Sequence, residues 1–372
     1  MDKFRCVAPC LFGLEKPVAD ELKEMGAEEV CAENGRVLFC GGAEIVARAN
    51  IRSRFAERIQ ILVGSFEAKS FTELFDGVKA LDWERYIGAD DAFPVKGSSI
   101  NSALHSVPDC QSIVKKAIVE RLKSKYRIDW FDELGAERKI SFFILKDRVQ
   151  LLIDTSGEGL HKRGYRANSG DAPLKETLAA AMVKLSRIYP DSTLYDPFCG
   201  SGTILIEGAL MARNIAPGLF RSFAAEKFSF IPQKVWQNER AAARDMIDNN
   251  VPFKAVGFDN DPAMVELAAA NAKKAGVDGC VSVSLADISD FKITTDRGVT
   301  VTNPPYGERM LDIDTARSLY RTMGQVFERR RGLKYTVISP DDSFERIFGA
   351  VADKRRKLYN GSIRCQLYFY YK

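Results

Sequence analysis

The stretch Asn303-Pro304-Pro305-Tyr306 carries polar and aromatic groups that could act on the amino group of a base. It follows Gly298–Thr302, a run of valines and threonines that favours a strand. Because a proline lacks an N–H and restricts the residue before it, the strand must end at Asn303 in a stiff segment. The Asn303 side-chain oxygen and the Pro304 carbonyl could accept hydrogen bonds from an NH2 group, while the Tyr306 ring could stack on the base. An Asn-Pro turn with a packed tyrosine is the structural alternative.

A second candidate site is a glycine-rich loop between a strand and a helix. A short strand ends at Asp196, and the loop that follows leads through Gly200 into a helix that begins at about Gly202. The glycines let a ligand approach the backbone where the N–H groups of the first helical turn are unpaired. The loop lacks the Gly-Lys-Ser/Thr of a Walker loop and the third glycine of the dinucleotide fingerprint, so by itself it does not identify a ligand.

Two further strands end next to carboxylates. Asp259 follows the apolar run 255–258, Asp287 follows Val281–Leu285, and Asp261 is a plausible N-cap of the helix between them. Carboxyl ends of neighbouring parallel strands meet at one edge of a sheet, so these polar ends predict one shared site. Asp259 suits the ribose hydroxyls of a nucleoside and Asp287 suits an adenine amino group. A helix cap or a turn acid is the alternative for each.

Composition excludes several classes of protein. The chain has 372 residues, 46% of them hydrophobic and 28% charged, with a net charge of +4. No apolar run reaches membrane-spanning length and the first residues do not read as a secretion signal, so we expect a cytoplasmic protein. The eight cysteines form no C-x-x-C pair and there are two histidines, so we expect no metal site. The mild charge permits nucleic-acid binding without requiring it.

A basic helix offers a candidate surface for nucleic acid. Lys115, Lys116, Arg121 and Lys123 lie near or beside the apolar face of a predicted helix, and Glu120 is the single acid among them. Such a patch could contact phosphates, although most charge runs are solvated helix faces.

A bendable, basic junction follows the first 155 residues. It contains three glycines between residues 157 and 164 together with Lys162, Arg163 and Arg166. These cations suggest further contacts to a phosphate backbone, and an ordinary charged linker is the alternative.

Three stretches resemble known families. Lys96-Gly97-Ser98-Ser99 through Ile118 resembles the THUMP RNA-binding domain. The stretch from Asp154 to Arg166, with His161-Lys162-Arg163-Gly164-Tyr165-Arg166 at its end, resembles the junction in bacterial ribosomal RNA N2-guanine methyltransferases and their close relatives. The loop Asp-Pro-Phe-Cys-Gly-Ser-Gly-Thr at 196–203 resembles the cofactor loop of amino-methyltransferases. The resemblance covers nearly the whole chain.

The resemblance implies a fold and a domain order. We expect an α/β class I methyltransferase domain over residues 156–372, with a mostly parallel seven-stranded sheet and an antiparallel last strand. Before it we expect an α+β ferredoxin-like module at 1–60 and a THUMP domain at 61–155. Residues 214–254 form a long insertion, which should have a role or helices of its own.

The resemblance also implies a reaction and its residues. S-adenosylmethionine would be the methyl donor and an exocyclic amino group, most simply N2 of guanine in ribosomal RNA, the acceptor. Catalysis would rest on Asn303, Pro304 and Tyr306. The residues expected to line the cofactor site are Leu174, Asp196, Pro197, Cys199, Gly200, Gly202, Asp259, Asn260, Asp287 and Asn303.

Several alternatives stay open on the sequence. Transfer RNA could replace ribosomal RNA as the substrate, and N6 of adenine in RNA or DNA would present an amino group to the same acceptors. A small-molecule or protein-glutamine methyltransferase could use the same tetrapeptide, and a non-catalytic RNA-binding protein with a relic pocket is a further reading. The sequence does not define the oligomeric state.

Overall fold

The structure, a computed structural model, describes residues 3–166, 174–189, 191–307 and 313–371. By internal contacts the chain divides into two compact units. The N-terminal unit comprises the residues up to Pro9, Ala19–Leu160 and Ser222–Ala241. The second unit, called the catalytic unit below because the sequence predicts the active site there, comprises Cys10–Val18, His161–Arg221 and the chain from Ala242 onward. Among the described residues, no helix is both long and apolar enough to span a membrane.

The first 160 residues alternate strands with helices. In chain order they are β1 (Phe4–Pro9), α1 (Glu15–Glu24), β2 (Glu28–Glu33), β3 (Arg36–Gly41), α2 (Ala43–Arg52), β4 (Gln60–Glu67), α3 (Phe71–Lys79), β5 (Val95–Ile100), α4 (Val107–Tyr126), β6 (Ile140–Leu145) and β7 (Arg148–Asp154).

These seven strands form one sheet in the order β2-β3-β1-β4-β7-β6-β5. All neighbours are antiparallel except β5 and β6. Strand β1 pairs with β4 through Cys6 and Ile61, so the sheet is continuous through both of the modules expected from the sequence.

Two strands of this sheet were not foreseen. Strand β2 is an edge strand in which five of six residues are exposed, so it has no buried alternation that could reveal it. Strand β6 does have the alternating pattern that predicts a strand, because Ile140, Phe142 and Ile144 are buried at every second position.

The rest of the chain builds a second sheet flanked by helices. The elements in chain order are α5 (Glu176–Leu185), β8 (Thr193–Asp196), α6 (Thr203–Ala212), α7 (Gln233–Asp245), β9 (Lys254–Asp259), α8 (Pro262–Lys274), β10 (Val281–Leu285), β11 (Gly298–Thr302), α9 (Ile313–Val326), β12 (Leu333–Ser339), α10 (Phe344–Phe348), β13 (Lys354–Asn360) and β14 (Ile363–Tyr370).

The strand order of this sheet is β10-β9-β8-β11-β12-β14-β13. The first five strands are parallel, and β14 runs antiparallel to both β12 and β13. The predicted mostly parallel seven-stranded sheet with an antiparallel last strand is therefore confirmed.

An aromatic core supports the β11–β12 side of this sheet. The Phe327 ring stacks on Tyr335 with centroids 4.5 Å apart, and Phe344 stacks on Tyr368 at 4.8 Å. Helix α9 buries Tyr320 in the same cluster. Because such a core is rigid, the strand ends beside it are held in fixed positions.

Part of the long insertion belongs to the N-terminal unit. Within that unit, Glu239 of α7 accepts two hydrogen bonds from Arg48, at 2.9 and 2.7 Å. The Phe230 ring lies 5.7 Å from Phe4, and the Arg138 guanidinium lies 4.1 Å above the Phe228 ring. The insertion thus has a helix of its own and completes the packing of a unit encoded far upstream.

The loop that contains Phe12 and Gly13 belongs to the catalytic unit. Within that unit, Arg356 donates to the Gly13 carbonyl, and the Phe12 ring meets the Tyr359 ring edge-on at 6.0 Å. Each unit therefore contains a segment from the other half of the sequence.

Candidate active site

The polar strand ends meet at one edge of the second sheet. In the parallel register Leu285 is level with Asp259, and Asp196 is level with Gly257. The chain runs outward from β8 to β9 and β10 on one side, and through β11 to β12 on the other. The order thus reverses between β8 and β11, the place where open α/β sheets bind ligands.

Asp196 bridges the two strands at this reversal. Its side chain is buried, and Oδ1 accepts hydrogen bonds from Thr302 Oγ1 at 2.7 Å and from the Phe198 N–H at 3.2 Å. Burial raises the pKa of Asp196 to about 7, and the neighbouring charge of Asp259 acts in the same direction. The carboxyl therefore fixes the residue that precedes Asn303 to the strand that opens the glycine loop.

The glycine loop is bonded to the neighbouring strand and helix. The Gly200 N–H donates to Asp259 Oδ2 at 2.8 Å, and Asn271 Nδ2 donates to the Ser201 carbonyl at 3.0 Å. Gly200 has a φ of +49° and nothing within 4 Å of the position a Cβ would take. The backbone at Gly200 is accordingly open to a ligand.

The two carboxylates predicted to bind a nucleoside, Asp259 and Asp287, differ in their surroundings. Asp259 is half-buried, and its Oδ1 also accepts from the Asp261 N–H at 3.1 Å. Asp287 is exposed, and its Oδ1 accepts from the N–H and the hydroxyl of Ser289 at 2.9 and 2.7 Å. These hydrogen bonds lower the pKa of Asp287, so it is a carboxylate near neutral pH. Each acid makes turn contacts at the predicted edge; Asn260, beside Asp259, is exposed.

The Asn-Pro-Pro-Tyr segment is held by groups that the sequence analysis did not single out. The Tyr306 hydroxyl donates to Asn303 Oδ1, and Asn360 Nδ2 lies 3.4 Å from that hydroxyl. The Tyr320 hydroxyl donates to the Pro305 carbonyl at 3.0 Å. Burial raises the pKa of Tyr306 well above its usual value, so the hydroxyl stays protonated. Among the described residues, no donor reaches the Pro304 carbonyl.

The remaining predicted cofactor residues lie at the same strand end or on the neighbouring helix. Pro197 and Cys199 are buried in the loop after β8, and burial raises the pKa of the Cys199 thiol. Leu174 is buried just before α5. Of the supporting residues, Asn271 could have been recognised, because it is a polar side chain on the buried face formed by Ala268 and Ala272. Tyr320 and Asn360 gave no such signal.

The polar groups at this edge of the sheet suit a charged nucleoside. Carboxylates at the ends of β9 and β10 can accept from ribose hydroxyls and an amino group, and the open backbone at Gly200 lies beside the N-terminus of α6. The described residues contain no group of three or more His, Cys, Asp or Glu side chains that could hold a metal ion.

The basic helix α4 is more strongly paired than its sequence indicated. Lys115 contacts Glu133 and lies 3.4 Å from the centroid of the Phe93 ring, while Arg121 donates to Glu84 at 3.0 and 2.6 Å. Glu120 is the single acid within the basic run, but Glu133 and Glu84, which lie outside the helix, also face these cations. Lys116 is exposed and Lys123 is half-buried.

The junction cations also lie in different environments. Lys162 is exposed. Arg163 is almost fully buried, and its Nε lies 3.5 Å from Glu207 Oε1, so its side chain is directed into the catalytic unit rather than toward solvent. Arg166 is largely buried, with hydrogen bonds to the Leu174 carbonyl and Thr203 Oγ1. The geometry therefore does not favour Arg163 and Arg166 as phosphate contacts.

Comparison with known families covers most of the chain. Residues 5–60 match the RlmL ferredoxin-like domain, residues 68–154 match the THUMP domain, and residues 163–368 match the RMKL-like methyltransferase domain of UPF0020. Sheet order, glycine loop and polar strand ends define a class I S-adenosylmethionine-dependent methyltransferase. The chain belongs to the RMKL-like family of RNA methyltransferases, and it has a THUMP domain before its methyltransferase domain.

Individual relatives agree with this assignment. The putative RNA methyltransferase YpsC of Bacillus subtilis is 43% identical, and the match covers 100% of this chain and 97% of that protein. The ribosomal RNA large subunit methyltransferase K/L of Shewanella baltica is 33% identical over 96% of this chain, which spans 52% of that protein's length. The crystal structure of SMU.472, a putative methyltransferase complexed with SAH, is 42% identical with a TM-score of 0.94, covering 100% of this chain and 98% of that chain. The predicted resemblance and cofactor class are confirmed.

Proposed function

We propose that this enzyme methylates the N2 amino group of a guanine in ribosomal RNA. The observation that carries the proposal is the Asn303-Pro304 acceptor pair at the end of β11, bonded through Thr302 to the Asp196 strand end at the reversal point of the sheet. The similarity to the large subunit methyltransferase K/L supports ribosomal RNA as the substrate class. We further propose that the enzyme acts in the cytoplasm.

The proposed acceptor geometry uses two oxygens. The lone pair of an exocyclic amino group is delocalised into its base, so the group needs orientation before it can attack. Asn303 Oδ1 and the Pro304 carbonyl would accept hydrogen bonds from its two N–H groups and stabilise the positive charge that develops on nitrogen. When bound, S-adenosylmethionine supplies a methyl group on a sulfonium and would leave as S-adenosylhomocysteine, so methyl transfer requires neither a metal nor a covalent intermediate. The methylated nitrogen would then lose one proton to water.

Tyr306 would have two successive partners in this mechanism. With no base present, its hydroxyl donates to Asn303 Oδ1. An incoming amino group would take over that acceptor, while the ring would stack on the base. Asp259 would bind the ribose of the methyl donor and Asp287 its adenine, while Pro197, Cys199, Gly200, Gly202, Asn260 and Leu174 would shape the pocket.

Cations of the N-terminal unit and of the junction would bind the RNA backbone. Lys116 and Lys123 on α4 and Lys162 in the junction are the cations that we propose as phosphate contacts, because they are exposed or half-exposed. Lys115 and Arg121 are bonded to acids within the same unit and would contribute less. Recognition through backbone charge and shape is typical of folded RNA.

The test is a methylation assay on ribosomal RNA from a strain that lacks the gene. This ribosomal RNA and, in parallel, transfer RNA from the same strain are incubated with the purified enzyme and labelled S-adenosylmethionine, digested to nucleosides and analysed by mass spectrometry. We expect label in N2-methylguanosine. Label in N6-methyladenosine would overturn the choice of base, and labelled transfer RNA with unlabelled ribosomal RNA would overturn the choice of substrate.

A further inference from the structure

Residues of the basic junction contact α6, the helix that follows the glycine loop. The Tyr165 hydroxyl donates to Glu207 Oε1 at 3.1 Å, and Arg163 Nε lies 3.5 Å from the same oxygen. Glu207 lies in the middle of α6 and is fully buried. Two residues that the sequence placed in a linker are therefore fixed to the body of α6.

Arg166 contacts the first turn of α6. Its Nη2 donates to Thr203 Oγ1 at 2.6 Å and to the Leu174 carbonyl at 2.5 Å, and its Nε lies 3.4 Å from Glu176 Oε1. The side chain is 15% exposed, so these bonds are largely shielded from water. Charge-assisted hydrogen bonds of this kind hold their partners more firmly than neutral ones.

The bond to Thr203 continues into the glycine loop. Thr203 Oγ1 accepts from Arg166 and lies 3.1 Å from Ser201 Oγ, and either hydroxyl can be the donor between them. Arg166 is thus connected through Thr203 to the glycine loop at the N-terminus of α6.

We propose that Arg166 is a positioning residue for S-adenosylmethionine. It orders the first turn of α6 through Thr203 and the start of α5 through Leu174, and both lie beside the glycine loop that receives the methyl donor. The inference concerns the donor alone, so it does not depend on which base or RNA is methylated. It replaces the expectation that Arg166 contacts phosphate.

Calorimetric titration with S-adenosylhomocysteine tests the proposal without requiring turnover. We expect Arg166→Gln to weaken binding roughly tenfold or more, as for one lost charge-assisted hydrogen bond, and Arg166→Lys to recover part of the affinity. Thr203→Val removes the acceptor at nearly constant volume and should also weaken binding. The matched control is Lys184→Gln, which removes an exposed cation from α5 and should leave affinity unchanged.

A double-mutant cycle separates positioning from other roles. If Arg166 acts through Thr203, the loss in Arg166→Gln/Thr203→Val should be clearly smaller than the product of the two single losses. In steady-state assays the KM for the methyl donor should rise while the KM for RNA stays constant. Unchanged affinity for S-adenosylhomocysteine, multiplicative losses in the cycle, or a rise confined to the KM for RNA would each overturn the proposal. If Arg166→Gln does not fold, unchanged affinity in Thr203→Val overturns it.

Discussion

The side chains of Asn303 and Tyr306 are hydrogen-bonded to each other in this structure. Because burial keeps the tyrosine protonated, its hydroxyl remains a donor to Asn303 Oδ1 over the whole neutral range. The asparagine oxygen is thereby hydrogen-bonded and held in place rather than rotating freely. An amino group that enters must offer an equivalent donor, which favours NH2 over a carbonyl edge of a base.

Removing the Asn303 amide should affect turnover and spare cofactor binding. We expect Asn303→Ala to lower kcat by about 100- to 1,000-fold, the usual cost of losing one preorganised group that stabilises developing charge. The measurement pairs single-turnover kinetics with titration of S-adenosylhomocysteine. A large fall in that affinity would instead make Asn303 a cofactor ligand.

The two parts of Tyr306 should be separable. Tyr306→Phe keeps the ring and removes the hydroxyl, so we expect kcat/KM for RNA to change by less than about tenfold. Tyr306→Ala also removes the stacking surface, and a further loss of about 10- to 100-fold should follow. Equal effects of both substitutions would contradict a stacking role and point to the hydroxyl alone.

At the scale of elements, Asp196 connects β8 to β11, and its ionisation makes the stability of the folded chain depend on pH. Its folded pKa of about 7 lies above the ordinary value of 3.8. Between these values the folded chain retains a proton that the unfolded chain releases, so this group makes stability fall as the pH rises from about 4 to 7. Above that range the cost of the buried charge is constant.

Asp196→Asn should remove this dependence. The amide keeps an oxygen that can accept from Thr302 and Phe198, so the bridge is retained. Denaturant unfolding of the cofactor-free protein should show the variant gaining stability relative to the wild type between pH 5 and pH 8, by a few kcal/mol at most. A constant difference over that range would contradict the raised pKa.

The cations of α4 should divide into two groups. We expect Lys116→Gln to weaken RNA binding and to reduce the slope of log affinity against log salt by about one. Lys115→Gln, the matched variant one residue earlier, should mainly lower the melting temperature, because Lys115 bonds to Glu133 and packs on Phe93. Filter binding across a salt series and thermal unfolding measure the two effects. A larger loss of RNA affinity in Lys115→Gln would reverse the assignment.

The strand ends were predictable from the sequence because each depends on local signals. Strand β11 ends at Thr302, just before Asn303 and the two prolines, and Asp261 caps α8 as predicted. The environments of the cations were not predictable, because their partners lie far along the chain. Lys115 meets Glu133, and Arg163 meets Glu207. A run of basic residues does not distinguish a solvated cation from a buried one.

Over the whole molecule, each compact unit includes residues from the other half of the sequence. The stretch Ser222–Ala241 completes the N-terminal unit, and Cys10–Val18 completes the catalytic unit. The composition did not predict that these segments pack in the other unit. From the sequence, the insertion 214–254 was recognised only as a long segment that should have a role or helices of its own. Domain boundaries drawn along the sequence therefore separate residues that pack together.

The ion pair inside the exchanged segment should contribute to stability. Glu239→Ala leaves Arg48 and Arg52 without their shared, largely buried acceptor, so we expect a loss of about 1–3 kcal/mol in the free energy of unfolding. Glu28→Ala is the control, because its pair with Lys3 is exposed and should have no measurable effect. Equal stability of both variants would mean that the Glu239 ion pairs add little to the stability of the N-terminal unit.

The central claim is that the Asn303-Pro304 pair presents an exocyclic amino group of RNA to a methyl donor. Nucleoside mass spectrometry of gene-deletion ribosomal RNA, treated in parallel with the wild type and Asn303→Ala, tests it most directly. The account predicts N2-methylguanosine with the wild type and none above background with the variant. A methyl group found on carbon or on ribose, or one transferred equally well by Asn303→Ala, would contradict it.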